Sequence, residues 1–254
     1  MHGKVRPYVD ADLHFLRNWI ERQKASDEPT FWMNWNWIEK HKDSRKLRVY
    51  ELPDEPGPIA YMLGDLHDEN SLLEVENRYR RQGIGRRFAS HAIDEASRGS
   101  NPLLLVQATF DSAEFWRSIG FEEADPMIVG HRRDLMVQKL RISRPLPAAS
   151  DRHMAVIDFF SGHHRAEDFI STKHALAVEV SETELAFEAV VAEYDPRYFG
   201  QSEMLFFRVS LDSRVLIPAM RCDTTQALEL GVVETDPGYS FDRLHVNLRD
   251  IHQA

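Results

Sequence analysis

A chain of 254 residues with 43% hydrophobic content has room for one large core or two ordinary ones. Its formal net charge of −10 argues against a broad nucleic-acid-binding face, which needs clustered Lys and Arg, and no apolar run approaches the roughly 20 residues of a membrane span. The acidity is uneven: 22 Lys and Arg meet 23 Asp and Glu in residues 1–145, but only 9 meet 18 in residues 146–254, an acidic surface that could suit a cationic partner.

The chain begins Met1-His2-Gly3-Lys4-Val5-Arg6-Pro7, with charge but no apolar stretch behind it, so no export signal is expected there. The single cysteine, Cys222, excludes an intrachain disulfide and fits a cytoplasmic setting. Residues 3–9 can form a strand, and Ala11 to Arg22 a helix with Leu13, Leu16, Trp19 and Ile20 on one side. Four of the five tryptophans, Trp19, Trp32, Trp35 and Trp37, then gather with Phe31 around the turn Asp27-Glu28-Pro29-Thr30. Helix-spaced aromatics of this kind are ordinarily core.

Leu47 to Leu52 and Ile59 to Asp65 read as strands of a hairpin joined by a proline-rich loop. The strand Leu72 to Val75 follows, then a basic loop from Arg80 to Gly85. Next comes a helix in which Ile84, Phe88, Ala89, Ala92, Ile93 and Ala96 recur at helical spacing before Gly99. Strand, glycine loop and helix is a way for backbone to cradle phosphate, because loop amides stay unpaired at a positive helix end. A bare turn needs glycine too. Gly83-Ile84-Gly85-Arg86-Arg87-Phe88 satisfies neither the Walker spacing nor the dinucleotide fingerprint.

Leu103 to Gln107 is an apolar run that suits a buried strand, Ser112 to Ile119 a short helix, and Phe121 to Val129 and Asp134 to Leu140 two closing strands. The stretch Arg144 to Ser150 reads as a linker. Beyond it, His174 to Val180, Met204 to Leu211, Val215 to Met220 and Arg243 to Arg249 are strand candidates, and Leu185 to Tyr194 suits either strand or helix. His153, His163, His164 and His174 share one region, but no Cys or carboxylate pair completes a ligand set, so no metal is expected.

Val75 followed at fixed spacing by Arg80-x-x-Gly83-x-Gly85 resembles the acyl-CoA loop of the GNAT N-acetyltransferase superfamily. Ser112-Ala113-Glu114-Phe115-Trp116-Arg117-Ser118-Ile119-Gly120-Phe121 is similar to that family's downstream helix-to-strand signature. The resemblance covers residues 1–141. It implies an α/β GNAT fold, a mixed and mostly antiparallel central sheet with flanking helices, in a domain at residues 1–143. A second, smaller, acidic, β-rich α+β domain of unknown role would occupy residues 151–254.

The resemblance also implies acetyl-CoA as cosubstrate and a primary amine, on a small molecule or a protein, as acceptor. It assigns Val75 to the pantetheine arm and the segment of Arg80, Arg81, Gln82, Gly83, Ile84, Gly85 and Arg86 to the pyrophosphate, with Thr109 standing where an asparagine is usual. Trp32, Trp35 or Trp37 would wall the acceptor site. Glu74 and Glu76 flank Val75 and are the candidate general bases, with Asp65 a third choice. Trp116 occupies the usual tyrosine position, and indole cannot deliver a proton to sulfur. That departure keeps a second reading open, an acyl-CoA-binding module without catalysis whose second domain binds a protein partner. No nucleic-acid or membrane partner is expected, and the second domain could serve as the interface of a homodimer.

Overall fold

Asp12 organises the entry into the first helix. In the computed structural model, which describes residues 3–109, 111–129, 132, 134–146, 152–161 and 170–246, strand β1 (Lys4–Pro7) leads into helix α1 (Asp10–Ala25). The Asp12 carboxylate accepts the Val9 N–H at 2.8 Å, while Arg6 donates to both its oxygens at 2.7 and 2.9 Å. A carboxylate in the first turn also meets the positive end of the helix dipole.

Four short strands then form an antiparallel sheet in the order β1, β2 (Arg48–Glu51), β3 (Ala60–Leu63) and β4 (Leu72–Val75). β2 and β3 pair as the expected hairpin, with Val49 opposite Tyr61. Val49, Tyr61 and Leu63 meet Leu16, Trp19 and Ile20 of α1 and Ile38 of α2 (Trp35–His41) in one buried cluster. Alternation sends Tyr50 to the other face, where its ring lies 6.3 Å from that of Phe88 on α3 (Ile84–Ser97). The sheet is thus covered by helices on both sides. Strand β5 (Leu103–Gln107) and helix α4 (Ala113–Arg117) follow.

The expected strand over residues 121–129 does not form as one element. It is a two-residue strand, β6 (Glu122–Glu123), then a helical turn, α5 (Pro126–Val129), because proline at a helix start pre-sets φ and needs no N–H partner. Strand β7 (Leu135–Lys139) pairs antiparallel with β6 in a small sheet ordered β5, β7, β6.

The backbone separates into two compact units, residues 1–96 with 105–121, and residues 97–104 with 122–254. This division differs from the linear cut expected between 143 and 151. Segment 142–144 adds to the second unit's sheet, with the Val190 N–H donating to the Ile142 carbonyl at 2.9 Å and the Arg144 N–H to the Glu188 carbonyl at 2.7 Å.

The second unit carries a seven-stranded antiparallel sheet built from β8 (Arg152–Ser161), β9 (Ile170–Val180), β10 (Glu184–Tyr194), β11 (Leu205–Leu211), β12 (Arg214–Arg221), β13 (Val233–Thr235) and β14 (Gly238–His245). Its order is β12-β11-β8-β9-β10-β14-β13. The ambiguous segment is strand β10. Leu185, Phe187, Ala189 and Val191 alternate into the interior, and burial of that face overrides the helical preference of the intervening Ala and Glu. Sequence patterning missed β8, β13 and the short helix α6 (Thr225–Glu229). The expected strand from Arg243 overlaps the end of β14, and Leu248 and Arg249 lie outside the described residues, as do His163 and His164.

Gly231 turns the chain after α6 at φ +104°, and a Cβ built there would sit 2.9 Å from the Arg243 carbonyl oxygen. Gly231→Ala is expected to cost about 1–3 kcal/mol, read as a lower midpoint in urea unfolding; an unchanged midpoint would contradict this packing.

Candidate functional site

β4 lies at the edge of its sheet. The Glu76 N–H donates to the Ile59 carbonyl at 2.9 Å, and Ala60 stands opposite Val75. Alternation of an antiparallel ladder therefore turns the Val75 N–H and C=O away from β3, toward the open edge. The carbonyl is taken: Arg80 Nε donates to it at 3.0 Å, and Arg80 Nη2 reaches the Pro29 carbonyl at 3.1 Å. Arg80 thus ties the strand end to the aromatic loop through its own side chain, and the Val75 amide is left as the outward-facing donor.

The basic loop coils tightly before α3. Arg81 and Gly83 adopt left-handed backbone at φ 62° and 78°. A Cβ on Gly83 would meet nothing within 4 Å, so glycine there answers the backbone angle and not a shortage of space. Gly85 serves the opposite need, since a Cβ there would stand 3.4 Å from the Phe115 ring and 3.7 Å from Val75. Early amides of a helix have no partner one turn back; the Arg87 N–H is bonded at 3.1 Å to the Gly83 carbonyl. Ile84 is buried, whereas Arg81, Gln82, Gly83 and Arg86 are exposed. Arg86 donates to the Ser118 hydroxyl at 2.9 Å, and Gln82 to the Arg78 carbonyl at 3.2 Å.

Glu74 stands opposite Tyr61 and faces the α1 side of the sheet at 3% exposure. Its Oε2 accepts from the Tyr61 hydroxyl at 2.8 Å and the Phe31 N–H at 3.2 Å, and its Oε1 from Gln23 Nε2 at 3.3 Å. Burial raises the Glu74 pKa above the ordinary glutamate value, opposed by the Tyr61 and Phe31 hydrogen bonds and the charge of Arg80. Burial, reinforced by the Glu74 charge, also pushes the Tyr61 phenol well up.

Glu76 is engaged differently: its Oε1 lies 2.9 Å from both Arg22 and Arg78. Two carboxylates two residues apart on one strand thus have separate surroundings, one among neutral donors and one between guanidinium groups.

Gln23 and Tyr61 were not singled out by sequence reasoning. The signal for Gln23 was a polar side chain continuing the Leu16, Trp19 and Ile20 stripe of α1, where a buried residue needs a partner. It finds two, since Gln23 Oε1 also accepts the Asn77 N–H at 2.8 Å.

The aromatic residues divide. Trp32 is 42% exposed, with Lys24 Nζ 3.5 Å from its ring centroid, and it follows the residue whose amide bonds Glu74. Trp35 and Trp37 pack instead against the α1 cluster, in agreement with core aromatics. Asp65 is not drawn into the Glu74 network; its neighbour is Lys46 at 3.9 Å. Thr109 shapes the approach to α4, its hydroxyl 3.0 Å from that of Ser112 and its carbonyl accepting the Ser112 N–H at 2.8 Å. Trp116 is 6% exposed, edge-on to Phe115 at 5.0 Å and Phe121 at 5.2 Å.

Among the described residues no three His, Cys, Asp or Glu side chains are grouped to hold a metal ion, and no helix is long and apolar enough to cross a membrane.

No family model matches this chain, and no curated protein matches it. Among solved structures it is similar to a GCN5-related N-acetyltransferase from Rhodopseudomonas palustris, at 18% identity over 55% of this chain and 97% of that one, with a TM-score of 0.41. It is similar to the ribosomal-protein-S18-alanine N-acetyltransferase of Escherichia coli at 19% identity over 59% and 100%, TM-score 0.42. A GNAT family N-acetyltransferase from Escherichia coli, solved with CoA, aligns at 18% identity over 55% and 82%, TM-score 0.42. The likeness is to GNAT N-acetyltransferases and spans slightly more than half of this chain.

Proposed function

We propose that this chain is an acetyl-CoA-dependent N-acetyltransferase acting on a primary amine, with Glu74 as general base. The reading is carried by one observation: adjacent residues of the edge strand β4 offer an outward backbone amide at Val75 and a buried, pKa-raised carboxylate at Glu74. Acetyl-CoA would supply the acetyl group as an activated thioester. The Val75 N–H would pair with the pantetheine arm as an added strand does. Amides from Arg81 to Arg86 would hold the pyrophosphate, with Arg80, Arg81 and Arg86 adding positive potential and Thr109 at the start of α4 completing the cofactor side.

An amine attacks as a neutral nucleophile, so an ammonium acceptor must first lose a proton. A glutamate with a raised pKa is a better acceptor for that proton than an ordinary one. Glu76, held by Arg22 and Arg78, would act beside it as a fixed negative charge. Trp32 would wall the acceptor approach, with Trp35 packed behind it. The acidic excess of residues 146–254 makes a cationic acceptor, a polyamine, an aminoglycoside or a lysine side chain, the class to try first. We propose residues 1–143 as the acyl-CoA-binding part and 151–254 as an appended acidic part that could also mediate a homodimer.

Free CoA release from acetyl-CoA over a panel of primary amines tests this reading, and at least one amine is expected to give saturable turnover. Tight CoA binding without turnover on any amine would support the second reading, a non-catalytic acyl-CoA-binding module. Trp116 keeps that alternative open, because an indole at the usual tyrosine position cannot protonate the departing thiolate.

A further inference from the structure

The loop between α1 and α2 is fixed by hydrogen bonds and not by packing. No side chain from Lys24 to Met33 is buried. A segment with so little buried apolar surface keeps its place chiefly through polar ties. Three of these reach residues 74–80: the Phe31 N–H donates to Glu74 Oε2 at 3.2 Å, Asn77 Nδ2 donates to the Glu28 carboxylate, and Arg80 Nη2 donates to the Pro29 carbonyl at 3.1 Å.

The Arg80 tie differs from the other two at its second end. Arg80 Nε holds the Val75 carbonyl at 3.0 Å, so one planar guanidinium spans two backbone segments, with acceptors 5 and 51 positions away in the chain. A loop carbonyl and a strand-edge carbonyl each need a donor, and the rigid fork of arginine supplies both at a set separation, which the compact ammonium of lysine does not. Two of the Arg80 donors are thereby committed to backbone. Arg81 and Arg86, both exposed, leave positive charge at the basic loop whether or not Arg80 adds to it.

We propose that Arg80 is a positioning residue for the amine side of the reaction, its guanidinium holding residues 28–32 against β4 so that the Phe31 amide stays on Glu74 and Trp32, the next residue, stays in place. The inference rests on the transfer reading with Glu74 as base. Arg80 acts through the loop, and direct contact with the pyrophosphate is left to the backbone amides of Arg81 to Arg86. Loss of the clamp therefore falls on the acceptor and not on the cofactor.

The test compares the full-length parent with Arg80→Lys, which keeps the charge but cannot bridge both carbonyls, and with Arg80→Met, which removes both. Three quantities are read: hydrogen exchange in the peptide covering residues 28–33, the Kd of CoA by calorimetry, and separate KM values for amine and acetyl-CoA. Both variants are expected to speed exchange in 28–33 by about tenfold, the scale of one lost hydrogen bond to a charged group, with exchange in β3 unchanged. In Arg80→Lys, kcat/KM for the amine falls about tenfold or more, while the CoA Kd and the acetyl-CoA KM move by less than about threefold. Arg80→Met matches it on the amine side. Parent-like exchange in both variants, parent-like amine kinetics in Arg80→Lys, or a CoA Kd weakened about tenfold in Arg80→Lys would overturn the proposal. A parent that turns over no amine defeats the transfer reading in the parent itself. Faster exchange in the variants then still supports the clamp, and parent-like exchange still overturns it.

Discussion

Glu74→Gln is expected to lower kcat/KM for acetyl transfer by about 10²- to 10⁴-fold, the range for loss of a general base, without unfolding the chain. The same variant separates catalysis from stability through the sign of its pH dependence. The folded-state pKa of Glu74 is raised by burial, so relative to the unfolded chain the protonated form is favoured. Its contribution to stability is therefore full below the ordinary glutamate pKa and is lost as pH rises through the raised value.

The carboxamide introduced by Glu74→Gln matches the protonated glutamate in shape; its oxygen can still accept from Tyr61 and Phe31, while its NH2 faces the Gln23 Nε2 that donated to Oε1. The variant loses that bond, and without a titrating group it should show a weaker fall in Tm between acid and neutral pH. Parent kcat/KM should rise with pH along a limb displaced above the ordinary glutamate range, and that limb should vanish in Glu74→Gln. A variant that keeps full kcat/KM and the same limb would remove Glu74 from the reaction and return the base to Glu76.

Trp116→Ala is expected to cost about 3–5 kcal/mol, measured as a lower urea midpoint with unchanged slope. The indole is nearly enclosed and makes two edge-to-face contacts, with Phe115 and Phe121, so truncation leaves a cavity where both rings lose a partner. Trp116→Tyr distinguishes a packing role from a chemical one. A tyrosine placed under that cover faces Phe115 and Phe121, and its expected effect is a modest stability loss with kcat changed by less than about twofold. A large gain in kcat would mean that the position does open toward the reacting groups.

Much of the fold could be read ahead because local chemistry and burial agree. Leu72 to Val75, the loop to Gly85 and the helix that follows it carry apolar strand formers, turn glycines and helical spacing in sequence, and each forms where expected. Residues 121–129 misled because Phe121, Ile128 and Val129 suggest a strand while Pro126 begins a helical turn within it.

The site was half legible. Glu74 and Glu76 stand out beside Val75, but their difference is made by partners far away in the chain: Gln23 and Phe31 lie 51 and 43 positions from Glu74, and Arg22 lies 54 from Glu76. No spacing rule within one segment reports such contacts. The tryptophan cluster shows the same limit, since exposure and not sequence separates Trp32 from Trp35.

The bond from Arg80 to the Val75 carbonyl bears on how an unpaired strand survives in a crowded solution. A bare sheet edge offers donors and acceptors in alternation, which is what another chain needs to extend the sheet and begin an aggregate. With the carbonyl capped by a charged side chain, β4 shows a guest a donor but not the acceptor next to it. A strand from a second copy, which needs both, finds that rung of its ladder closed. A ligand that asks for one amide is still served, so a single arginine can guard this edge against self-association while keeping it open to a slender visitor.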